Sequence, residues 1–354
     1  MKIQIFTILD FNYGNRLQNY ALQKILVDMK YSVVTYGSNR ACYFNKMSYV
    51  ADPFIKKIIK SLIFRFKRLF FKFDYKKKNY NEFSSFNKLI YFKNKIDFKV
   101  NYYLVGSDKV WNLKLFPNQK IFMLGFSKNK CKNIAISPSI SLLNFNNKEE
   151  NEVRKYIYNF KKISCREIEG SKLLHELFSV NSTTILDPTL VLDSKEWIRI
   201  EKKPVGLKTN KYILIYFLGE YSIERKKIID QLAFENKVEI INILSLENNI
   251  KIGPSEFIYL IRNSEIVLTD SYHALIFSYI FDKNIRVLNR NQQNIKSMNT
   301  RMESLMKVLN LPKEIFCSDD EISNSINNKY DYDYRSLQIE REKFLNYIND
   351  CIKK

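Results

Sequence analysis

The chain has only two histidines, His175 and His273, and five cysteines, Cys42, Cys131, Cys165, Cys317 and Cys351. No two cysteines are close in sequence, and there is neither a CxxC pair nor a Cys/His cluster. That spacing argues against a structural zinc site and a disulfide framework, and it fits a reducing cytoplasm. The common glycine-rich motifs are missing: there is no GxGxxG, no GxxxxGK[ST] and no GxSxG, and no nucleic-acid motif is recognisable. No uninterrupted apolar run reaches the roughly 18–20 residues of a membrane-spanning helix. The opening run MKIQIFTILDFNYGNR is too short for a signal peptide and lacks a small-residue cleavage site. These absences predict a cytoplasmic protein that needs no metal or organic cofactor and takes no nucleic-acid partner.

What is present is a chain of 354 residues, long for one core and comfortable for two domains. Eight glycines, seven prolines and 45% hydrophobic residues read as globular rather than disordered. The net charge of +21 raises the question of an anionic partner. An AT-rich coding composition, crowded with Lys, Asn, Ile, Tyr and Phe, would give the same bias without one. The apolar pattern alternates between short β-rich runs and helical periods. Residues 2–9, 31–36, 102–105, 133–137 and 184–186 read as strands, and 17–29, 150–160 and 168–178 as helices. A polar stretch at 201–210, containing Pro204 and Gly206, is the linker candidate. The rhythm then restarts, with strands at 212–218, 238–244, 266–269 and 285–288. Helices are expected at 223–234, 254–262, 271–281 and 337–352. This predicts an α/β protein of two Rossmann-like domains facing a cleft. Residues 1–200 form the first domain, 211–335 the second, and 336–354 a closing helix. In such sheets ligands sit at the carboxyl ends of the strands.

Three segments carry chemistry. In Thr269-Asp-Ser-Tyr-His273 a strand ends, Asp270 or Ser271 caps the next helix, and His273 falls in its first turn. A helix N-terminus favours anions, and a histidine there can bind one or act as acid or base; a plain helix cap is the simpler alternative. In Cys165-Arg-Glu-Ile-Glu-Gly170 an arginine stands at a strand's carboxyl end, where Arg166 can grip a carboxylate or phosphate or merely pair with Glu167 or Glu169. In Gly106-Ser-Asp-Lys-Val-Trp-Asn112, Ser107 and Asp108 can bond a sugar and Trp111 can stack on one, unless the segment is a capped turn with a core tryptophan.

Residues 54–78 form a separate pattern. Ile55, Ile58, Ile59, Leu62, Phe66, Leu69, Phe70 and Phe73 recur at three and four, with lysines and Arg68 mostly off that face. This is the pattern of a basic amphipathic helix on an anionic membrane surface, or of a core helix with a solvated lysine face. The aromatic content favours the membrane.

Taken in order, several segments resemble the polysaccharide pyruvyl transferase family. They are Gly14-Asn-Arg-Leu-Gln-Asn-Tyr-Ala-Leu-Gln23, Gly106–Asn112, Cys165–Gly170, Asp187-Pro-Thr-Leu190, Gly253-Pro-Ser-Glu-Phe257, Thr269–His273 and Asn299-Thr-Arg301. The resemblance implies a GT-B-like fold, phosphoenolpyruvate as donor and a glycan acceptor, often lipid-linked. It implies donor binding or catalysis by Arg166 and His273. Separately, Asp108 or Asp270 is the expected base, and Asn15, Ser107, Trp111 and Ser271 are expected near substrate. Many members carry an arginine two residues before the histidine, where this chain has Ser271. Arg16, Arg290, Lys296 and Arg301 are the candidates to replace that charge. A glycosyltransferase using a nucleotide sugar shares the expected fold. A non-catalytic basic module binding membrane or nucleic acid is the third reading.

Overall fold

The computed structural model describes residues 1–37, 74–289, 296–324, 326 and 329–352. Most of the basic segment 54–78, up to residue 73, and Arg290 therefore lie outside the described residues, and of Lys296 only the helical backbone is described.

The first sheet is built from β1 (Lys2–Phe6), β2 (Ser32–Tyr36), β3 (Phe92–Lys93), β4 (Tyr102–Val105), β5 (Asn133–Ala135), β6 (Lys162–Cys165) and β7 (Thr183–Thr184). All neighbours are parallel, in the order β3-β2-β1-β4-β5-β6-β7. The order reverses direction between β1 and β4, the Rossmann switch point at which a crevice opens beyond the strand ends. The second sheet holds β8 (Tyr212–Tyr216), β9 (Glu239–Asn242), β10 (Ile266–Thr269), β11 (Ile285–Leu288) and β12 (Phe316–Cys317). It is also parallel, ordered β12-β11-β10-β8-β9, and switches between β8 and β10. Strands β8, β10 and β11 are buried at every residue. Their unbroken apolar runs follow from helices covering both faces, as parallel sheets require. These are two Rossmann-like domains; residues 201–210, between β7 and β8, form neither helix nor strand.

Helices supply the covering layers and the seam. Helix α1 (Tyr13–Asp28) starts at Asn12, whose side chain accepts from the Asn15 amide. Helix α2 (74–87) follows the undescribed stretch. Helix α3 (Asn147–Arg154) begins earlier and ends sooner than its apolar pattern suggests. Asn146 and Glu149 form a reciprocal capping box that fixes its start, and a separate 3-10 turn spans Ile157–Asn159. Helices α4 (Ile168–Phe178), α5 (Pro188–Val191) and α6 (Ser194–Ile200) complete the first domain. The second adds α7 (Ile223–Asn236), α8 (Pro254–Asn263), α9 (Tyr272–Ile280) and α10 (Lys296–Val308). Helix α9 is buried on every side, which explains its apolar sequence YHALIFSYI. The last helix, α11 (Arg335–Cys351), returns to the first domain. There Tyr347 Oη donates to Ala135 O at 3.1 Å, and Arg341 donates to the carbonyls of Leu190 and Leu192 at 2.7 and 2.9 Å.

The seam between the sheets is aromatic. Tyr13 stacks on Phe257 with ring centroids 4.7 Å apart, Phe257 meets Tyr216 edge-on at 5.4 Å, and Phe83 of α2 lies 5.3 Å from Tyr13. One apolar core runs continuously from α1 through α8 and α9 to α11. Each fully buried ring contributes about 2 kcal/mol from burial alone. Lys78 anchors α2 to the second domain. Its ammonium donates to Ser245 O at 2.9 Å and to both oxygens of Asn248 at 2.6 Å. This corrects the expectation that Lys78 belongs to a basic surface run, because its charge is directed inward at the end of β9.

Candidate active site

The strand order of the first sheet brings four strand ends side by side, and each delivers a polar side chain. After β4 the chain turns at Gly106, whose φ of +124° suits glycine, and a side chain there would collide with the Ile136 carbonyl. Ser107 and Asp108 follow. After β5 come Ser137 and Ser139, after β6 Arg166 and Glu167, and beyond β7 Asp187. Across the seam, α9 presents Tyr272 and His273 in its first turn, and α10 presents Arg301.

Asp187 is the hub. Its Oδ2 lies 2.8 Å from Arg166 Nη1, 3.0 Å from Ser107 Oγ and 3.8 Å from His273 Nε2. The last distance is an electrostatic contact rather than a hydrogen bond. Its Oδ1 accepts from the Thr189 amide at 3.0 Å and from Thr189 Oγ1 at 2.7 Å. Burial alone would raise this carboxyl, but His273 and Arg166 outweigh it and hold it far below the usual carboxylate range. Asp108 takes Arg166 Nη2 at 3.4 Å on Oδ1 and Asn15 Nδ2 on Oδ2. Here too burial is opposed by Arg166 and then His273, and the carboxyl is lowered. Arg166 is itself buried. Desolvation works against its charge, but Tyr272, Asp108 and Asp187 keep it firmly protonated. Glu167 points elsewhere, with Oε1 accepting from Ser139 Oγ and the Ser141 amide, both at 2.9 Å.

His273 is fixed by a close approach. A Cβ at position 14 would lie only 2.5 Å from His273 Cγ, so the imidazole packs directly on the backbone of Gly14 at the start of α1. Its Nε2 is buried without a hydrogen-bond partner, and so is Nε of Arg166. None of Arg166, Tyr272, His273 and Arg301 exposes more than 8% of its surface.

The structure therefore brings Asn15, Ser107, Asp108, Arg166, His273 and Arg301 into one cluster, and it corrects several sequence expectations. Arg166 does not pair at the surface with Glu167 or Glu169 but lies buried between Asp108 and Asp187. Trp111 offers no face for stacking on a sugar: it is wholly buried, donates Nε1–H to Phe122 O at 2.8 Å and packs edge-on against Phe160. Asp270 neither caps α9 nor stands free as a base, since its two oxygens accept the amides of Leu218 and Gly219 at 2.7 Å. Ser271 occupies the cap position with no side-chain cap bond, and its amide donates to Thr269 Oγ1. Ser107 is fully buried and serves Asp187 rather than a ligand surface. Arg16 is fully buried on α1 and donates to Leu9 O at 3.0 Å, bracing the β1–α1 loop. Sequence reasoning assigned no role to Asp187 or Tyr272. The available signal for Asp187 was its place after a short strand and before Pro188, equivalent to that of Arg166 after β6.

A buried Arg–Asp–His constellation thus lies where the strand ends of two Rossmann-like α/β domains face each other. The chain belongs to the polysaccharide pyruvyl transferase family, whose sequence profile matches residues 12–292. None of the curated proteins compared with it matches. Among solved structures it is similar to a UDP-GlcNAc 2-epimerase from Methanocaldococcus jannaschii, with 15% identity, a TM-score of 0.49 and coverage of 98% of this chain and 100% of that one. It is also similar to the UDP-GlcNAc 2-epimerase from Neisseria meningitidis, at 14% identity and a TM-score of 0.45, covering 98% of this chain and 100% of that one. The glycotransferase of kitacinnamycin gives 10% identity and a TM-score of 0.46, covering 99% of this chain and 98% of that one.

Proposed function

We propose that this protein transfers the pyruvyl group of phosphoenolpyruvate to two hydroxyls of a glycan, forming a cyclic ketal and releasing inorganic phosphate. The observation that carries the reading is the pair of buried, unpartnered nitrogens, His273 Nε2 and Arg166 Nε, on side chains gathered at one carboxylate. Such donors are satisfied by an anion that the free protein does not itself supply.

The chemistry follows from the groups present. His273 gives a proton to the methylene carbon of the enol phosphate while a sugar hydroxyl adds to the adjacent carbon. Asp108 takes the proton of that hydroxyl. The carbon–oxygen bond to phosphate then breaks, phosphate leaving with the electron pair. The second hydroxyl closes the ring, and its proton leaves with phosphate. Return of the Asp108 proton to His273 completes the cycle. Arg166 holds the donor's negative charge throughout, and Asp187 keeps Arg166 and His273 in register. Asp108 serves as base in preference to Asp270 because it lies beside Arg166 and within the field of His273, whereas Asp270 is turned to the backbone amides of the loop after β8.

The acceptor on this reading is a lipid-linked precursor of a cell-surface polysaccharide. The basic amphipathic sequence 54–78 would bring the protein to the inner face of the cytoplasmic membrane. No helix among the described residues is long and apolar enough to cross a membrane. The test is incubation with phosphoenolpyruvate and lipid-linked glycans, following phosphate release and the mass of the glycan. Turnover with nucleotide sugars and none with phosphoenolpyruvate would overturn the proposal.

A further inference from the structure

Tyr272 lies beneath two guanidinium groups. Arg166 Cζ is 4.4 Å from the ring centroid and Arg301 Cζ is 5.6 Å from it. The two arginines come from different domains, one from the end of β6 and the other from α10. Their electrostatic situations differ. Arg166 is compensated by Asp108 and Asp187. Among the described residues Arg301 forms no ion pair and no hydrogen bond; its Nε is buried without a partner, and the residue is 5% exposed. Burial first, and then repulsion from Arg166, pull its pKa down to about 10, while Glu167 and Asp108 support its charge only through space. It is still a cation at neutral pH. A buried charge with no contacting counter-ion costs stability unless something else supplies one.

We propose that Arg301, together with the unpartnered Nε of Arg166, seats the phosphate of the donor, with the Tyr272 ring backing the two guanidiniums. This rests on the phosphoenolpyruvate reading above and deepens it by assigning the phosphate end. A phosphate fits better than a lone carboxylate for a geometric reason. Its several oxygens can accept from guanidiniums that arrive from two sides, whereas a carboxylate is matched by one planar fork.

The experiment measures thermal stabilisation and calorimetric affinity with inorganic phosphate and with phosphoenolpyruvate, on the wild-type chain and on Arg301→Gln. Wild type should be stabilised by both probes. Arg301→Gln should bind each on the order of ten- to a hundredfold more weakly, as expected on losing a charge-assisted contact. Without ligand, the variant should melt no lower than wild type, because it loses an uncompensated charge. Should Arg301→Gln fail to fold, Arg301→Lys gives the same discrimination, with affinity expected between the two. Wild-type affinity in the folded variant, with phosphoenolpyruvate turnover intact in the parent, overturns this assignment alone. A wild-type chain that neither binds nor turns over phosphoenolpyruvate overturns the functional reading and this assignment together.

Discussion

The contact between Gly14 and His273 gives the most direct test of the site. Gly14 lies in the first turn of α1, where alanine is conformationally acceptable and gains up to about 1 kcal/mol of helix propensity. Any loss in Gly14→Ala must therefore come from the methyl itself. That methyl would stand 2.5 Å from His273 Cγ and nearer still to Nδ1 and Cε1, and ordinary contact begins at 3.4 Å, so the ring has to retreat by more than about 1 Å. It has little room to do so, since His273 and its neighbour Tyr272 are both buried. Overpacking of this kind costs roughly 1–3 kcal/mol, and the helix gain offsets part of it. The melting temperature should thus fall by only a few degrees. Catalysis should suffer far more, because a displacement of about 1 Å at an acid–base group costs on the order of a hundredfold. Paired measurements of kcat for phosphate release and of the thermal midpoint separate the two effects. A Gly14→Ala protein with wild-type kcat would refute the placement of His273 at the reacting atoms.

Replacing His273 with Ala should lower turnover by two to four orders of magnitude, at about the scale of a lost acid–base group, with the fold retained on circular dichroism. An arginine at a strand end, with no apolar face, would ordinarily be replaced by alanine without loss of fold. The structure corrects this: removing Arg166 strands two buried carboxylates, at about 3–5 kcal/mol, so Arg166→Lys is the better variant for kinetics. Asp187→Asn tests the pH linkage. Because the folded carboxyl is depressed, its contribution is fully present above the unfolded value of about 4 and is lost as pH falls through the folded one. Acid unfolding should therefore be shallower below about pH 4 in the variant, and identical pH profiles would remove the Asp187 pairing from the account. For residues 54–78, sedimentation with liposomes should decline with added salt and with loss of anionic lipid. Equal partitioning with neutral and anionic vesicles would sink the electrostatic part of that proposal.

Much of the layout was legible because parallel strands buried on both faces leave continuous apolar runs, and β8, β10 and β11 stand out for that reason. Helix α4 was read with its observed bounds, and His273 was placed in the first turn of α9. What the sequence hides is adjacency. Nothing in Ser107, Arg166 and Asp187, separated by scores of residues, announces that β4, β5, β6 and β7 lie side by side. Once they do, their ends converge, and Arg166 finds its true partners. Trp111 misled because a tryptophan after a turn looks the same whether it faces a ligand or the core. Asp270 misled for a related reason, because its position also suited a helix cap. Its actual role, holding the loop after β8, depends on the pairing of β8 with β10.

The aromatic seam that joins the domains has a kinetic meaning. Tyr13 stacks on Phe257, and the charged cluster is buried in the same structure, so a ligand reaches it only where the seam parts. On the proposed function, a donor and a glycan would enter only the fraction of molecules in which the seam has parted. Apparent affinity is then the intrinsic affinity scaled by that fraction, and entry becomes a conformational selection step. Loosening the seam far from the chemistry, for instance with Phe257→Leu, should raise the open population and speed substrate capture. If the proposed reaction holds, the same change would let its oxocarbenium meet water, so part of the phosphoenolpyruvate consumed would appear as free pyruvate rather than as ketal. The strength of that stacking thus sets where the protein stands between access and fidelity.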